Sequence, residues 1–471
     1  MSTTGVSEDI GAAVPVRIVH DLDEVRRRLT RRAGFEGARL SARMAEGVRR
    51  VFGDDLSAEQ VVDRILAEVR AEGDAAVLSY TAALDGAALT ADEIEIPGAA
   101  WDAALAGLDP TLRDAMATAA DSIEAFHRKQ LRTSWLDYSD EGTLGQILRP
   151  LERIGIYTPT STAAYPSTLL MTAIPARVAG VEEIIVCAPP SGGAVSPLVL
   201  AAARIAGVDR LFQVGGAQAI GAMAFGTETV PRVDKIHGPG NIFVVLAKRR
   251  VFGAVAIDSL AGMTETLLVA DSSADPGLIA ADMLAQAEHD PMASAILLAT
   301  DAALAASVVG ALGEQLADLP RTAIAAESLA ANGLVAVVPD VPTALDLANA
   351  YAPEHLCLLL ADPWAAVPMV RHAGGVFVGE HSPEVLGDYA AGPSHVMPTG
   401  ATARFSSPVH VGDFTKVISV VAANRRAVAR LGPASATLAR AEGLVGHARA
   451  IERRLAPSSG EPGIMPTAGD Q

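Results

Sequence analysis

From position 151 to position 378 the chain alternates two textures. Short, nearly continuous apolar runs occupy 154–157, 183–187, 211–214, 233–236 and 255–257, and again 266–270, 295–298, 334–338, 356–360 and 376–378. Between the first five lie segments at 167–178, 197–206, 217–225 and 242–251 with apolar positions at helical spacing. Runs apolar on both faces are what a strand needs when helices cover both sides of its sheet. Strands alternating with helices predict parallel βαβ units and a doubly wound α/β sheet. The series starts twice, so two α/β lobes are expected, with ligands beyond the carboxyl ends of the strands.

The flanks differ. Before 132 the periodicity is helical, at 22–32, 57–84 and 99–131, with one short strand expected at 93–96. After Gly392 the alternation stops. Pro393-Ser-His395-Val-Met-Pro398 and Ser407-Pro408 read as an extended loop, followed by a helix at 438–455. The expected division is therefore 1–16 disordered, 17–150 a helical part of the first lobe, 151–265 the first lobe, 266–391 the second, 392–455 a C-terminal loop and helix, and 456–471 a disordered tail.

Composition narrows the partners. A chain of 471 residues with 50% hydrophobic content can bury a large core, and its formal charge of −18 disfavours nucleic acid and anionic membranes. Aromatic content of 4% leaves few stacking platforms for bases. No secretory signal opens the chain, and no stretch of about 18 apolar residues would span a bilayer. Cys187 and Cys357 each sit in a strand-like run and read as reduced core residues, which fits a cytoplasmic protein. His20, His127, His237, His372, His381 and His410 are expected at surface or turn positions.

The candidate chemistry clusters in the second lobe. Asp275-Pro276 suits the start of a helix, and Ile279, Met283 and Gln286 then share its inward face. His289 follows on that side, just before Asp290-Pro291 ends the helix. A buried amide beside an imidazole needs partners. Asp388 with Gln286, His289 and a further His would make a mixed N/O shell suited to Zn²⁺. Pro353-Glu354-His355 sets an acid beside an imidazole, able to move a proton on an alcohol or a water if the turn lets both face one site. Gly215-Gly216-Ala-Gln218 and Gly238-Pro-Gly240-Asn241 open helices where backbone N–H groups suit an anion.

In this order the pieces resemble the histidinol dehydrogenase family over positions 19–454. The matching blocks are Gly215-Gly-Ala-Gln-Ala-Ile220, Lys235-Ile-His-Gly-Pro-Gly-Asn241, Ile257-Asp-Ser-Leu-Ala-Gly262, Gln286-Ala-Glu-His289, Pro353-Glu-His-Leu356, Gly387-Asp-Tyr389, His395-Val-Met-Pro-Thr399 and Glu442-Gly-Leu-Val-Gly-His447. The resemblance implies two Rossmann-like lobes, 151–265 binding NAD and 266–391 carrying zinc and the acid–base pair. It implies cytoplasmic oxidation of L-histidinol to L-histidine, through an aldehyde, with two NAD⁺ reduced. Zinc would be held by Gln286, His289, Asp388 and His447, the last from the other subunit of a homodimer that exchanges its 392–455 tails. His355 would take the alcohol proton and Glu354 would activate the water that adds to the aldehyde. Thr264, His395 and Glu442 match substrate-contacting positions alongside the zinc and acid–base residues, and Tyr157, Gln218 and Asn241 match NAD-contacting ones. Two places depart from the family pattern: Thr158-Pro159-Thr160-Ser161 replaces Val-Pro-Gly-Gly, and Met263 replaces Pro. Alternatives are a paralogue oxidising another small polar alcohol, such as a sulfopropanediol, and a non-catalytic relative.

Overall fold

The computed structural model describes residues 15–30, 42–159, 165–260 and 262–456. Thr160, Ser161 and the expected disordered ends 1–16 and 456–471 lie outside them, except at 15, 16 and 456; Val16 is buried in the core of the second lobe and not disordered. The chain forms two units, Met1–Leu131 with Leu151–Phe414, and Arg132–Pro150 with Thr415–Gln471.

The larger unit holds two parallel sheets with helices on both faces. In the first, the spatial order is Arg210–Phe212, Glu183–Cys187, Arg153–Tyr157, Lys235–His237, Ala256–Ile257. In chain order that is third, second, first, fourth, fifth, so the winding reverses between Arg153–Tyr157 and Lys235–His237. The second sheet repeats the scheme with Leu334–Val337, Ser294–Ala299, Glu265–Ala270, His355–Leu359, Gly375–Val378. Ile154 and Ile156 pack with Leu169 and Met171 on one face of the first sheet, while Ile185 and Ile236 pack with Ile65 and Ile220 on the other. Each such fully buried side chain contributes about 1.5–3 kcal/mol of apolar burial. Cys187 and Cys357 are buried free thiols in central strands.

Several elements differ from expectation. Ile18–Val19 pairs with Val335 and Ala336 at the edge of the second sheet, so the N-terminal segment belongs to that lobe and not to the first. The expected strand at 93–96 is the short helix Ala91–Ile94, because Thr90 and Glu93 form a capping box that satisfies its first amides. Only Glu95 bridges to Phe212. His127 is fully buried, with Nδ1 donating to the Ile123 carbonyl at 2.8 Å, and His237 is buried in its strand against the ring of Phe414. Neither is at the surface.

The smaller unit contains a hairpin, Trp135–Ser139 and Gly142–Pro150, inside the stretch read as helical. Thr415–Ala423 adds the third, antiparallel strand from almost 270 positions away. Two helices follow, Arg425–Ala441 and Val445–Leu455, where one was expected; Gly443, at φ +78°, turns the chain between them. The sheet is wet on both faces: Tyr138 is 74% and Val421 73% exposed. Among the described residues no helix is long and apolar enough to cross a membrane.

Candidate functional site

The helix Pro276–Ala287 forms as the sequence implies. Asp275 caps it, accepting from Gly277 and Leu278 amides, and Ile279, Met283 and Gln286 are buried. Its C-terminal end delivers Gln286 and the exposed His289 to the amino edge of the second sheet. Thr264 stands just before the strand Glu265–Ala270, and Glu354 just before His355–Leu359. The cluster in this lobe is therefore at the amino edge of its sheet, opposite to the carboxyl-end expectation.

Glu354 and His355 face one site because the turn before the strand is irregular. Ala352 adopts φ 53°, ψ 65°, a left-handed conformation uncommon for alanine, and Pro353 follows it. Glu354 Oε2 accepts from the Thr264 hydroxyl at 2.7 Å and from the Glu265 amide at 3.0 Å, and lies 3.8 Å from His355 Nδ1. Gln286 Nε2 in turn donates to Thr264 Oγ1 at 2.9 Å. Burial pushes the Glu354 carboxyl up to about 7, against the opposing pull of His355, Thr264 and the Glu265 amide. A carboxyl poised there suits general-base work near neutrality.

His355 Nδ1 donates to the Glu265 carbonyl at 3.2 Å, which leaves Nε2 to face Asp388 Oδ1 at 3.5 Å. Burial alone would lower this imidazole, but the charges of Glu354 and Glu384 and the adjacent Asp388 outweigh it and raise it to about 10. Burial would likewise raise Asp388, yet His355 holds its carboxylate below the ordinary range. His395 Nδ1 donates to the Asp388 carbonyl at 2.6 Å, and its Nε2 meets the Thr168 hydroxyl at 3.2 Å. Glu384 was not singled out from the sequence. It is buried, bonded by the Thr266 hydroxyl, and pushed up to about 7 by that burial. Its place one helical turn before Asp388 was the available signal.

The larger unit thus gathers Thr264, Gln286, His289, Glu354, His355, Asp388 and His395. Among the described residues no three His, Cys, Asp or Glu side chains converge as a metal cage. Gln286, His289 and Asp388 still offer a carbonyl oxygen, an imidazole and an ionised carboxylate. That donor set fits a zinc ion with positions left open for further ligands. Glu442, which caps Arg425–Ala441, and His447, in the first turn of Val445–Leu455, are exposed in the smaller unit.

At the first sheet, Tyr157 ends one strand flanking the reversal point, and the Gly238–Asn241 turn follows the other. Tyr157 is buried, its hydroxyl accepting from the Gly216 amide at 3.2 Å. Gln218 Nε2 donates to Asp85 at 3.1 Å, while its buried Oε1 has no partner among the described residues. Asn241 caps the helix Ile242–Val251. A reversal of strand order, an unpaired buried amide oxygen and two strand-to-helix turns fit a dinucleotide. Asp85, from the π-helical turn Thr81–Asp85, also went unremarked; its carboxylate lies against Gly215.

Comparison with known proteins gives one answer. A family model described as histidinol dehydrogenase matches residues 49–455. The histidinol dehydrogenase of Deinococcus radiodurans is 53% identical over 411 residues, covering 87% of this chain and 93% of that protein. The one from Thermus thermophilus is 53% identical over 410 residues, with 87% and 98% covered. Among solved structures, histidinol dehydrogenase from Elizabethkingia anophelis superposes with a TM-score of 0.85 at 34% identity, covering 94% of this chain and 98% of that one. With the adjacent Glu354 and His355, the helix-end amide and both doubly wound sheets in place, the chain belongs to the histidinol dehydrogenase family of oxidoreductases.

Proposed function

We propose that this protein oxidises L-histidinol to L-histidine. Alcohol to carboxylic acid is a four-electron oxidation, so it consumes two NAD⁺. The observation that carries the reading is the Glu354–His355 pair, 3.8 Å apart and buried beside Asp388. When bound, zinc would polarise and orient the substrate, and the nicotinamide would accept hydride.

Gln286, His289 and Asp388 would hold the metal, and Tyr157, Gln218 and Asn241 would border the dinucleotide. His355 Nε2 is the atom that takes the alcohol proton, because Nδ1 is committed to the Glu265 carbonyl. To accept that proton His355 must be neutral. Engaging Asp388 with a dication would remove one of the charges that keep the imidazole protonated. Glu354, near neutrality in its pKa, draws a proton from the water that adds to the aldehyde. His395, with Nδ1 held by the Asp388 carbonyl and Nε2 meeting the Thr168 hydroxyl, would border the substrate through its ring.

We also infer a homodimer. The exposed apolar sheet face of Trp135, Leu144, Val417 and Val421 supports it, since monomers rarely leave such a surface wet. Glu442 and His447 of a second copy would then supply the substrate-ammonium carboxylate and the fourth zinc ligand. The test is NADH formation by the purified protein from L-histidinol, with zinc and then with a chelator. Zinc-dependent release of two NADH per histidinol is expected. No turnover by a zinc-loaded dimer would overturn the substrate assignment and favour another small polar alcohol.

A further inference from the structure

Thr264 stands between two groups with different tasks, and the directions of its hydrogen bonds can be worked out. Glu354 Oε2 receives a backbone N–H from Glu265 at 3.0 Å, and a backbone amide can only donate. With Glu354 ionised, as a base that activates water must be, that oxygen has no proton of its own, and the proton shared with Thr264 across 2.7 Å belongs to the Thr264 hydroxyl. A hydroxyl has one proton to give. With it committed to Glu354, the hydroxyl can only accept from Gln286, 2.9 Å away. The amide nitrogen of Gln286 must then face Thr264, and its carbonyl oxygen must face the other way. An isolated glutamine could sit in either orientation with nearly the same shape. Here the chain Gln286 to Thr264 to Glu354 removes the choice.

We propose that Thr264 is a positioning residue that couples the two halves of the site. It turns the Gln286 carbonyl oxygen toward the metal and, with the same hydroxyl, fixes the carboxylate of Glu354. This rests on the reading of Gln286 as a zinc ligand and Glu354 as the water-activating base. The β-branched side chain suits the task, because the second substituent on Cβ restricts χ1 and so the direction of the hydroxyl. Its place immediately before a central strand anchors the backbone beneath it. Loss of the hydroxyl leaves the Gln286 amide free to rotate and its NH₂ without a partner. Glu354 then keeps only the Glu265 amide on that oxygen.

The test compares wild type with Thr264→Ser and Thr264→Val, the second nearly isosteric but without the hydroxyl. Zinc affinity is measured by titration against a competing chelator, with no substrate present. Oxidation of histidinal is measured separately at saturating zinc. Thr264→Val is expected to weaken zinc binding and to slow aldehyde oxidation, each about 10- to 100-fold, while Thr264→Ser stays close to wild type. Unchanged zinc affinity in a folded Thr264→Val protein would overturn the coupling. So would equal losses in the Ser and Val variants, since the hydroxyl would then not be what matters. A wild-type protein that binds no zinc would bring down the underlying ligand assignment, and this inference with it.

Discussion

A methyl group on Gly387 would stand 2.6 Å from Cε1 of Phe377, so the ring fills the space any larger residue there would claim. The same ring lies 5.7 Å from the His355 imidazole at 41°, and Gly387 immediately precedes Asp388. Phe377 thus acts as a spacer between His355 and the turn carrying Asp388. Gly387→Ala is expected to force the ring aside at a cost of about 1–3 kcal/mol and to lower kcat. Urea denaturation and initial rates check both. Unchanged stability would mean the ring has slack that the packing denies.

A second prediction concerns the reversal point of the first sheet. Lys248 and Asp258 form an ion pair with side chains only 1% and 4% exposed. Lys248 also donates to the Gly238 carbonyl at 2.8 Å, and Asp258 accepts from the Gly238 amide at 2.8 Å. Gly238 itself has φ +111°, and a Cβ there would fall 2.1 Å from the Tyr157 carbonyl oxygen. Asp258→Ala should cost about 3–5 kcal/mol, because it strands a buried ammonium. Adding Lys248→Met should recover much of that loss. Failure of the double variant to recover would show that the Gly238 amide bond, not the charge, dominates.

His237 predicts an acid-side loss of stability. Its ring stacks on Phe414 at a centroid distance of 4.4 Å, and neither ring nitrogen has a partner among the described residues. Burial lowers the pKa from 6.5 to about 4, with Asp258 and Asp413 pulling upward and Lys235 and Lys248 downward. Below pH 6.5 the unfolded chain takes a proton that the folded chain refuses. The stability associated with a neutral His237 is therefore complete above 6.5 and falls away as pH drops toward 4. The gap corresponds to about 3 kcal/mol at most. His237→Leu should flatten that part of the stability–pH curve in denaturant titrations. An unchanged slope between pH 6.5 and 4 would assign the acid loss to other groups.

What could be read from the sequence followed from local rules. The helix Pro276–Ala287 was visible because Asp275, Pro276 and the Ile279–Met283–Gln286 stripe each act within one or two turns. The strands from Arg153–Tyr157 to Gly375–Val378 were visible because double-sided burial demands nearly continuous apolar runs, whereas the two-residue edge strand Ile18–Val19 was too short to show one. The hairpin at Trp135–Pro150 was hidden because its third strand, Thr415–Ala423, comes from far along the chain and its faces are not buried. The position of the cluster at the amino edge was hidden too. It depends on a helix running back across its sheet, which a rule about carboxyl ends does not anticipate. His237 was hidden because a strand of three residues carries too little pattern to distinguish an inward imidazole from a turn.

The last prediction separates holding the metal from moving the proton. His289 follows the Gln286 helix end and is open to solvent, whereas His355 is enclosed between the Glu265 carbonyl and Asp388. If His289 is a ligand, His289→Asn should lose both zinc and turnover. His355→Asn removes no proposed ligand, so zinc should stay while hydride transfer slows by about 10²- to 10⁴-fold, the usual range for a positioned acid–base group. Glu354→Gln should spare alcohol oxidation relative to aldehyde oxidation, since only the second step needs an activated water. Zinc content by atomic emission and single-turnover NADH formation from histidinol and from histidinal distinguish these outcomes. Zinc loss from His355→Asn would reverse the assignment of the two histidines, because a group that only moves protons has no reason to retain the ion.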